Sequence, residues 1–345
     1  MILTGGEIYF LGETDLRTER ETGFVKIGLV REKDARDTES RLREHQTGNP
    51  RMLHVVKVVK TPIVERVETT LHGKFATSRV SGEWFNFNDI SVETAIAEAN
   101  ALSKNAKASI EEISQAEILK SKKSTAKMVS SNRETMKLYQ DYLRINFQLK
   151  ECKELSKHIQ EVLHQASRNK IEIDHLIEVQ KRKPAQRFSE ELFAEKFPKV
   201  YSQYVETVIE IKQRFTWGSA KDIEFDLQKL NRDLFELVSE ASSLSKAALT
   251  RTNAADKLHY LYLTILTHQS PLEWKKDLIE AKVKSACGLA SGIEDICKWN
   301  RVQEERKKLN REAVKESHLK KYEDCFVLSK ATEAVVVRKD RGYRA

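Results

Sequence analysis

The chain has 345 residues, 32% of them charged, with a mean hydropathy of −0.55 and a net charge of +8. It is long enough for two domains, and no apolar run approaches the roughly eighteen residues that a bilayer-spanning helix needs. Four cysteines (Cys152, Cys287, Cys297 and Cys325) stand without a CxxC pair or a nearby histidine at ligand spacing, so a structural zinc is not expected and a reducing compartment fits best.

The first predicted elements are two β-like runs, Glu7-Ile8-Tyr9-Phe10-Leu11 and Val25-Lys26-Ile27-Gly28-Leu29, separated by a polar stretch from 12 to 23 that closes on Gly23. They read as a hairpin with a long solvated tip. The period then changes: Thr38 and Ser40 offer caps, Arg41, Leu42 and His45 lie at helical spacing, and Thr47-Gly48-Asn49-Pro50 stops the helix. Met52 to Val59 is a β-branched run. Pro62 then opens a helix with Val64, Val67, Leu71 and Phe75 on one face, and Gly82-Glu83-Trp84-Phe85-Asn86-Phe87 closes the unit as a short aromatic strand.

Beyond Phe87 the chain reads as helical, as the scarcity of glycine (12) and proline (5) suggests. Ser91 caps a helix from about Val92 with Ala95, Ile96, Ala99 and Leu102 on one face. Residues 103 to 135 form either a weakly held helix or a partly flexible spacer. Ser131-Asn132-Arg133-Glu134 carries a capping pattern and opens a stretch close to a heptad seam, with Leu138, Tyr142, Ile145, Leu149, Cys152, Ile159, Leu163, Ala166 and Ile173. This seam could meet a second chain or a later helix of the same chain; antiparallel packing within one chain is the simpler account. Helices are expected at about 189 to 216 and 219 to 250, and another from Ser270-Pro271-Leu272-Glu273 towards Trp299, while Leu258 to Leu266 reads as a buried helix. The final Ala334-Val335-Val336-Val337 is β-prone, either a strand added to something or a loose basic end. The expected organisation is therefore residues 1–90 as an α/β unit, 91–135 as a helical linker, 136–330 as a helical bundle or coiled coil, and 331–345 as a basic tail, an α+β protein overall.

Residue types alone suggest chemistry in the first unit. Hydrolysis of a phosphodiester needs an activated water, a cation to offset charge on the non-bridging oxygens, and help for the leaving oxygen. Glu68 is a hard oxygen ligand suited to one Mg²⁺ or Mn²⁺, Arg41 a fixed planar cation, and Tyr9 a hydroxyl able to relay a proton. Each has a plain alternative: a tyrosine on a strand is usually core, and an arginine or glutamate on an exposed helix face usually meets water.

Five short motifs occur in order, Glu7-Ile8-Tyr9, Lys26-Ile27-Gly28, Arg41-Leu42-Arg43-Glu44-His45, Glu68-Thr69-Thr70-Leu71-His72 and Gly82-Glu83-Trp84-Phe85. Together they resemble the GIY-YIG nuclease superfamily, in the branch with a KIG second motif known from phage open reading frames. The resemblance covers about a quarter of the chain. It implies a small mixed sheet flanked by helices that cleaves DNA with Mg²⁺ or Mn²⁺. Carried over, Tyr9 contacts the attacking water, Arg41 braces the scissile phosphate, His45 assists proton transfer, and Glu68 is the single metal ligand. Arg43, Lys74, Arg79 and Asn86 are the expected substrate contacts. Lys26 stands where many active members have a second tyrosine. Lysine can hold a phosphate as a point charge but, with a reference pKa of about 10.4, is a poor relay at pH 7, so a DNA-binding or scaffold protein that does not cut is the alternative.

Charge is uneven. Residues 1 to 90 are about balanced, whereas residues 298 to 345 hold about fourteen basic and eight acidic groups. That stretch could grip a phosphate backbone through counterion release, or it could be a solvated face. DNA is the expected partner, with possible self-association through the helical region. The start, Met1-Ile2-Leu3-Thr4-Gly5, lacks the basic region and cleavage site of a signal peptide, so a cytoplasmic protein is expected.

Overall fold

A computed structural model of the protein describes residues 2–34, 36–168, 173, 175–219, 236, 239, 252–316 and 319–342. Its N-terminal half opens with a five-stranded sheet in the order β3-β1-β2-β5-β4, built from β1 (Gly6–Asp15), β2 (Arg20–Arg31), β3 (Met52–Thr61), β4 (Arg79–Ser81) and β5 (Trp84–Asn86). Every pairing in it is antiparallel, so the mixed sheet expected from the resemblance is corrected to an antiparallel one. The β1–β2 hairpin also runs further than its apolar runs imply, with Thr14 opposite Glu21 and Asp15 opposite Arg20. The polar residues there find partners: buried Glu13 takes the Thr22 hydroxyl at 2.9 Å and an ion pair from Arg51, so burial does not leave its charge alone.

Helix α1 (Thr38–Gln46) begins at Asp37, whose carboxylate accepts the Ser40 N–H at 2.8 Å. It packs on one face of the sheet beside Tyr9, Leu11 and Val30. The opposite face carries Ile8, Phe10, Val25, Ile27 and Phe85, covered by Val64, Val67 and Leu71 of α2 (Val64–Lys74) and Ala95, Ala99 and Leu102 of α3 (Val92–Ala108). Alternation along each strand thus serves two layers. Residues 110–120 form α4 (Ile110–Lys120), which buries Ile113, Ala116 and Leu119, so this part of the uncertain stretch is a packed helix.

Beyond it, α5 (Arg133–Arg168) starts with Asn132 rather than Ser131 as its cap, the Asn132 side chain accepting the Thr135 N–H at 2.8 Å. Its seam residues Cys152, Ile159, Leu163 and Ala166 are buried against Leu258, Leu261, Tyr262 and Ile265 of α8 (Thr252–Cys287). The two run antiparallel, as the pairs Asn146–Lys276 and Lys153–Glu273 show. The seam is therefore covered within the chain.

The α+β class holds, but the expectation of an all-helical remainder does not. The predicted helix at 189 to 216 is instead α6 (Glu190–Lys196), α7 (Pro198–Tyr204) and β8 (Val205–Trp217); the one at 219 to 250 lies outside the described residues apart from 236 and 239. β8 pairs along its full length with β10 (Cys297–Leu309), and β9 (Gly292–Ile293) adds a short third strand. Tyr204, Val208, Ile211 and Phe215 fit a helical stripe, while Ile209, Ile211, Phe215 and Trp217 also fit a strand face; a distant partner strand decides between them. Trp299, expected near a helix end, is a fully buried strand residue. Ser270-Pro271 does not start a helix: α8 runs through it. Packing overrides the proline here, because the Ser270 hydroxyl donates to the Thr70 carbonyl at 2.9 Å, against a Gly73 whose Cβ would lie 2.5 Å from it.

The β-prone end is β12 (Thr332–Val337), paired with β6 (Ile177–Arg182), and β7 (Gln186–Phe188) pairs with β11 (Phe326–Leu328). A six-residue α9 (Arg311–Glu316) and a 3-10 segment (Leu319–Cys325) complete an aromatic cluster around Phe193 at the far end of the β8–β10 ribbon. All four cysteines are free and buried, with Cys287 and Cys297 Sγ 3.7 Å apart. Among the described residues, no helix is long and apolar enough to cross a membrane.

Candidate active site

The register of β1 and β2 sets Tyr9 opposite Gly28 and Leu11 opposite Lys26, on the face turned towards α1. Gly28 is required there: a Cβ on it would sit 2.3 Å from the Tyr9 hydroxyl oxygen. That clearance lets the Tyr9 ring lie flat over the strand, fully buried, with its hydroxyl 3.3 Å from His45 Nε2 on α1. Burial raises the Tyr9 pKa above its ordinary value although the neighbouring Arg41 lowers it, so the hydroxyl keeps its proton. Burial, and then the charges of Lys26 and Arg41, lower the His45 pKa. The ring is neutral at pH 7, and in the tautomer with its proton on Nδ1 its Nε2 accepts from the Tyr9 hydroxyl, while Arg41 donates to the Tyr9 oxygen.

On the other side of the pocket stand two carboxylates. Glu68 follows Val67 on α2 and turns away from the core that Val67 enters. Glu83 projects from the turn between β4 and β5, where its carbonyl accepts the Ile27 N–H at 3.0 Å. Burial, then the Glu83 charge, push the Glu68 pKa up to about 7. Glu83 itself is held below the ordinary carboxylate range, despite burial, by Lys26, whose Nζ lies 2.5 Å from it. Tyr9, Arg41, Glu68 and Glu83, with Arg31 and Arg36, thus line one cavity of about 310 Å³.

Of the residues expected at a site, Tyr9, Arg41 and Glu68 line this cavity directly. His45 stands behind Tyr9, and Lys26, 8% exposed, behind Glu83. Arg79 lies within electrostatic reach of both carboxylates, its side chain donating to the Gly82 carbonyl. The remaining three are elsewhere. Arg43 is on the exposed side of α1, Lys74 is paired with Glu98 of α3 at 2.5 Å, and Asn86 lines a second cleft against α8. Arg31, Arg36 and Glu83 were missed. Glu83 had a signal, since it leads the aromatic strand that pairs beside Lys26; the arginines depended on the β2 terminus and the loop after it.

Arg41 is not a bare cation: Glu44, one helical turn on, approaches it at 2.5 Å and also meets Arg36 at 3.3 Å. A phosphate entering the pocket would take the place of that exposed carboxylate. As to metals, Glu68 and Glu83 offer hard oxygens in a polar pocket, a donor set suited to one Mg²⁺ or Mn²⁺ that keeps several waters. Among the described residues no group of three or more His, Cys, Asp or Glu side chains is arranged as a metal cage.

Residues 6–103 match the family model of the T5orf172 domain, a domain found in phage open reading frames and in some GIY-YIG/HNH-like nucleases. The match spans a little over a quarter of the chain and ends inside α3. It suggests a phage-related unit of nucleic-acid-binding or nuclease-like character. Searches of curated proteins and of solved structures give no match.

Proposed function

We infer that the T5orf172 unit binds DNA and hydrolyses a phosphodiester with the help of one divalent cation held by Glu68. The observation that carries this reading is the convergence of a tyrosine–histidine relay, a guanidinium and a glutamate of raised pKa on one small polar cavity. Arg41 braces the phosphate, releasing Glu44 as it does so. The Tyr9 oxygen accepts a proton from the attacking water as its own passes to neutral His45 Nε2. The new P–O bond forms as the bond to the leaving oxygen breaks, and that oxygen is protonated from solvent. A bound Mg²⁺ or Mn²⁺ supplies Lewis-acid stabilisation of the developing phosphate charge. Ion-pairing to that cation would favour ionised Glu68, offsetting the burial and the Glu83 charge that raise its pKa.

A second reading, DNA binding without cleavage, is favoured by one observation. Lys26, in the place of a second tyrosine, is fixed to Glu83 at 2.5 Å and offers no proton relay. Supercoiled plasmid incubated with and without Mg²⁺ separates the two. Nicking that EDTA abolishes supports hydrolysis; binding without nicking in either buffer overturns it in favour of the second reading.

A further inference from the structure

A second cleft, of about 760 Å³, lies where the five-stranded sheet meets α8 and the C-terminal segment. Its head wall holds Phe24 and Asn86, its opposite wall Lys257 and Tyr260 of α8, and its end Arg341. The segment that carries Arg341 is fixed to the sheet, the Arg341 N–H donating to the Arg79 carbonyl at 2.7 Å.

This cleft continues the face on which the candidate active site sits. Val25 and Ile27 point into the head core, so by strand alternation Phe24, Lys26 and Gly28 share the other face. Their cross-strand partners extend the row: Tyr9 beside Gly28, Trp84 beside Lys26, Asn86 beside Phe24. From Gly28 to Phe24 is four residues, about 13 Å along the strand, a reach of a few nucleotides. The groups change along the row from those suited to a reacting phosphate to those suited to a strand passing by. Lys257 and Tyr260 are exposed and three residues apart on one face of α8, Tyr260 with 53% of its surface open. Asp256, on the same wall, directs its carboxylate to His175 Nε2 at 2.7 Å, and His259 Nε2 donates to the Arg338 carbonyl at 2.9 Å.

The geometry points to a binding subsite for the unpaired DNA strand that runs on from the scissile phosphate. Lys257 and Arg341 meet its phosphates, Tyr260 with Phe24 stacks a base, and the Asn86 amide lies within the same groove. This subsite rests on the reading of the T5orf172 unit as DNA-acting, but three of the elements it adds, Lys257, Tyr260 and Arg341, lie outside residues 6–103. An aromatic ring between two cations in a groove is the pattern by which single strands are held without sequence preference.

The test is the fluorescence anisotropy of labelled oligothymidine, and of a duplex of equal length, with the full chain in EDTA across a salt series. Tyr260→Ala is expected to weaken oligothymidine binding by at least about fivefold through the loss of one stack, and Tyr260→Phe to bind as the parent does. Lys257→Ala and Arg341→Ala should each lower the slope of log K against log salt by about 0.7. All three positions tested are replaced at exposed side chains, and unchanged thermal unfolding verifies the fold. If the parent binds oligothymidine and none of the variants alters affinity or slope, the subsite is overturned and the reading of the active site stands. A parent that binds neither DNA overturns both.

Discussion

The five-stranded sheet and the β8–β10 ribbon are both antiparallel, with main strands of ten to thirteen residues, but they are covered differently. The sheet has helices on both faces, and its alternation is written into the sequence at almost every position. The ribbon is buried only at its ends. At its root Trp299 and Cys297 join the cluster around Tyr139, Tyr142 and Val283, at its tip Leu309 joins that around Phe193, and Val302 and Ile209 between them are 50% and 60% exposed. A strand records its own geometry in its sequence only as far as one of its faces is covered. The candidate site lies where cover is partial: the Tyr9 face of the sheet is the one that α1 leaves open beside Arg41 and Glu68.

The largest expected effect tests whether the site belongs to the sheet and the two helices, α1 and α2, that flank it. Arg41→Ala and Glu68→Ala should each reduce Mg²⁺-dependent plasmid nicking by about 10²-fold or more, with thermal unfolding close to the parent's. Nicking at the parent rate by either would remove that residue from the site. The second prediction contrasts root and middle of the ribbon. Trp299→Ala should cost about 3–5 kcal/mol in urea unfolding, because a ring stacked under the Arg301 guanidinium at 4.0 Å is lost. Ile209→Ser, halfway along, should stay within about 0.5 kcal/mol. Equal costs would mean that the ribbon is covered along its length.

Legibility followed the same division. The order strand, strand, helix, strand, helix, the faces of α2 and α3, and the trio Tyr9, Arg41 and Glu68 could be read because local pattern and tertiary burial agree there. Three features could not be read. β8 and β10 are 80 residues apart, so neither strand announces its partner; α8 crosses Pro271 because Thr70 and Gly73 of a distant helix receive it; and the basic stretch after 298 is no free tail, since it opens with β10 and contains Arg301. That guanidinium is fully buried and donates to the carbonyls of Leu119, Gly288 and Ala290. Lys74 and Asn86 stand away from the first cavity for a related reason: their partners, Glu98 on α3 and the wall of α8, lie outside the motifs that singled them out.

A smaller effect sharpens the electrostatics of the site. Glu68 has a folded pKa of about 7 against an ordinary 4.5, so between those values the folded protein retains a proton that the unfolded chain has released. Stability should fall as pH rises across that window. Glu68→Gln should remove this slope and, at pH 8 without metal, stabilise the protein by on the order of 2 kcal/mol. Parallel pH profiles in urea for parent and variant would contradict the raised pKa. The smallest expected effect is at Glu44. Its exposed pairing with Arg41 is worth about 1 kcal/mol at most, so Glu44→Gln should tighten DNA binding by no more than about fivefold, read by anisotropy; weaker binding would show that Glu44 positions Arg41 rather than masks it.

The core of the N-terminal unit is closed from far along the chain. Trp274 of α8 is buried among Phe10, Leu71 and Phe85, and Arg66 of α2 is paired with Asp277 at 2.7 Å. A ribosome that has finished Phe87 must add 187 further residues before Trp274 exists. At about 5–20 residues per second that is an interval of roughly ten to forty seconds. During it the sheet, with α2 and α3, lacks its last apolar cover, so a nascent chain carries an N-terminal unit whose core stays open until residue 274 has been made.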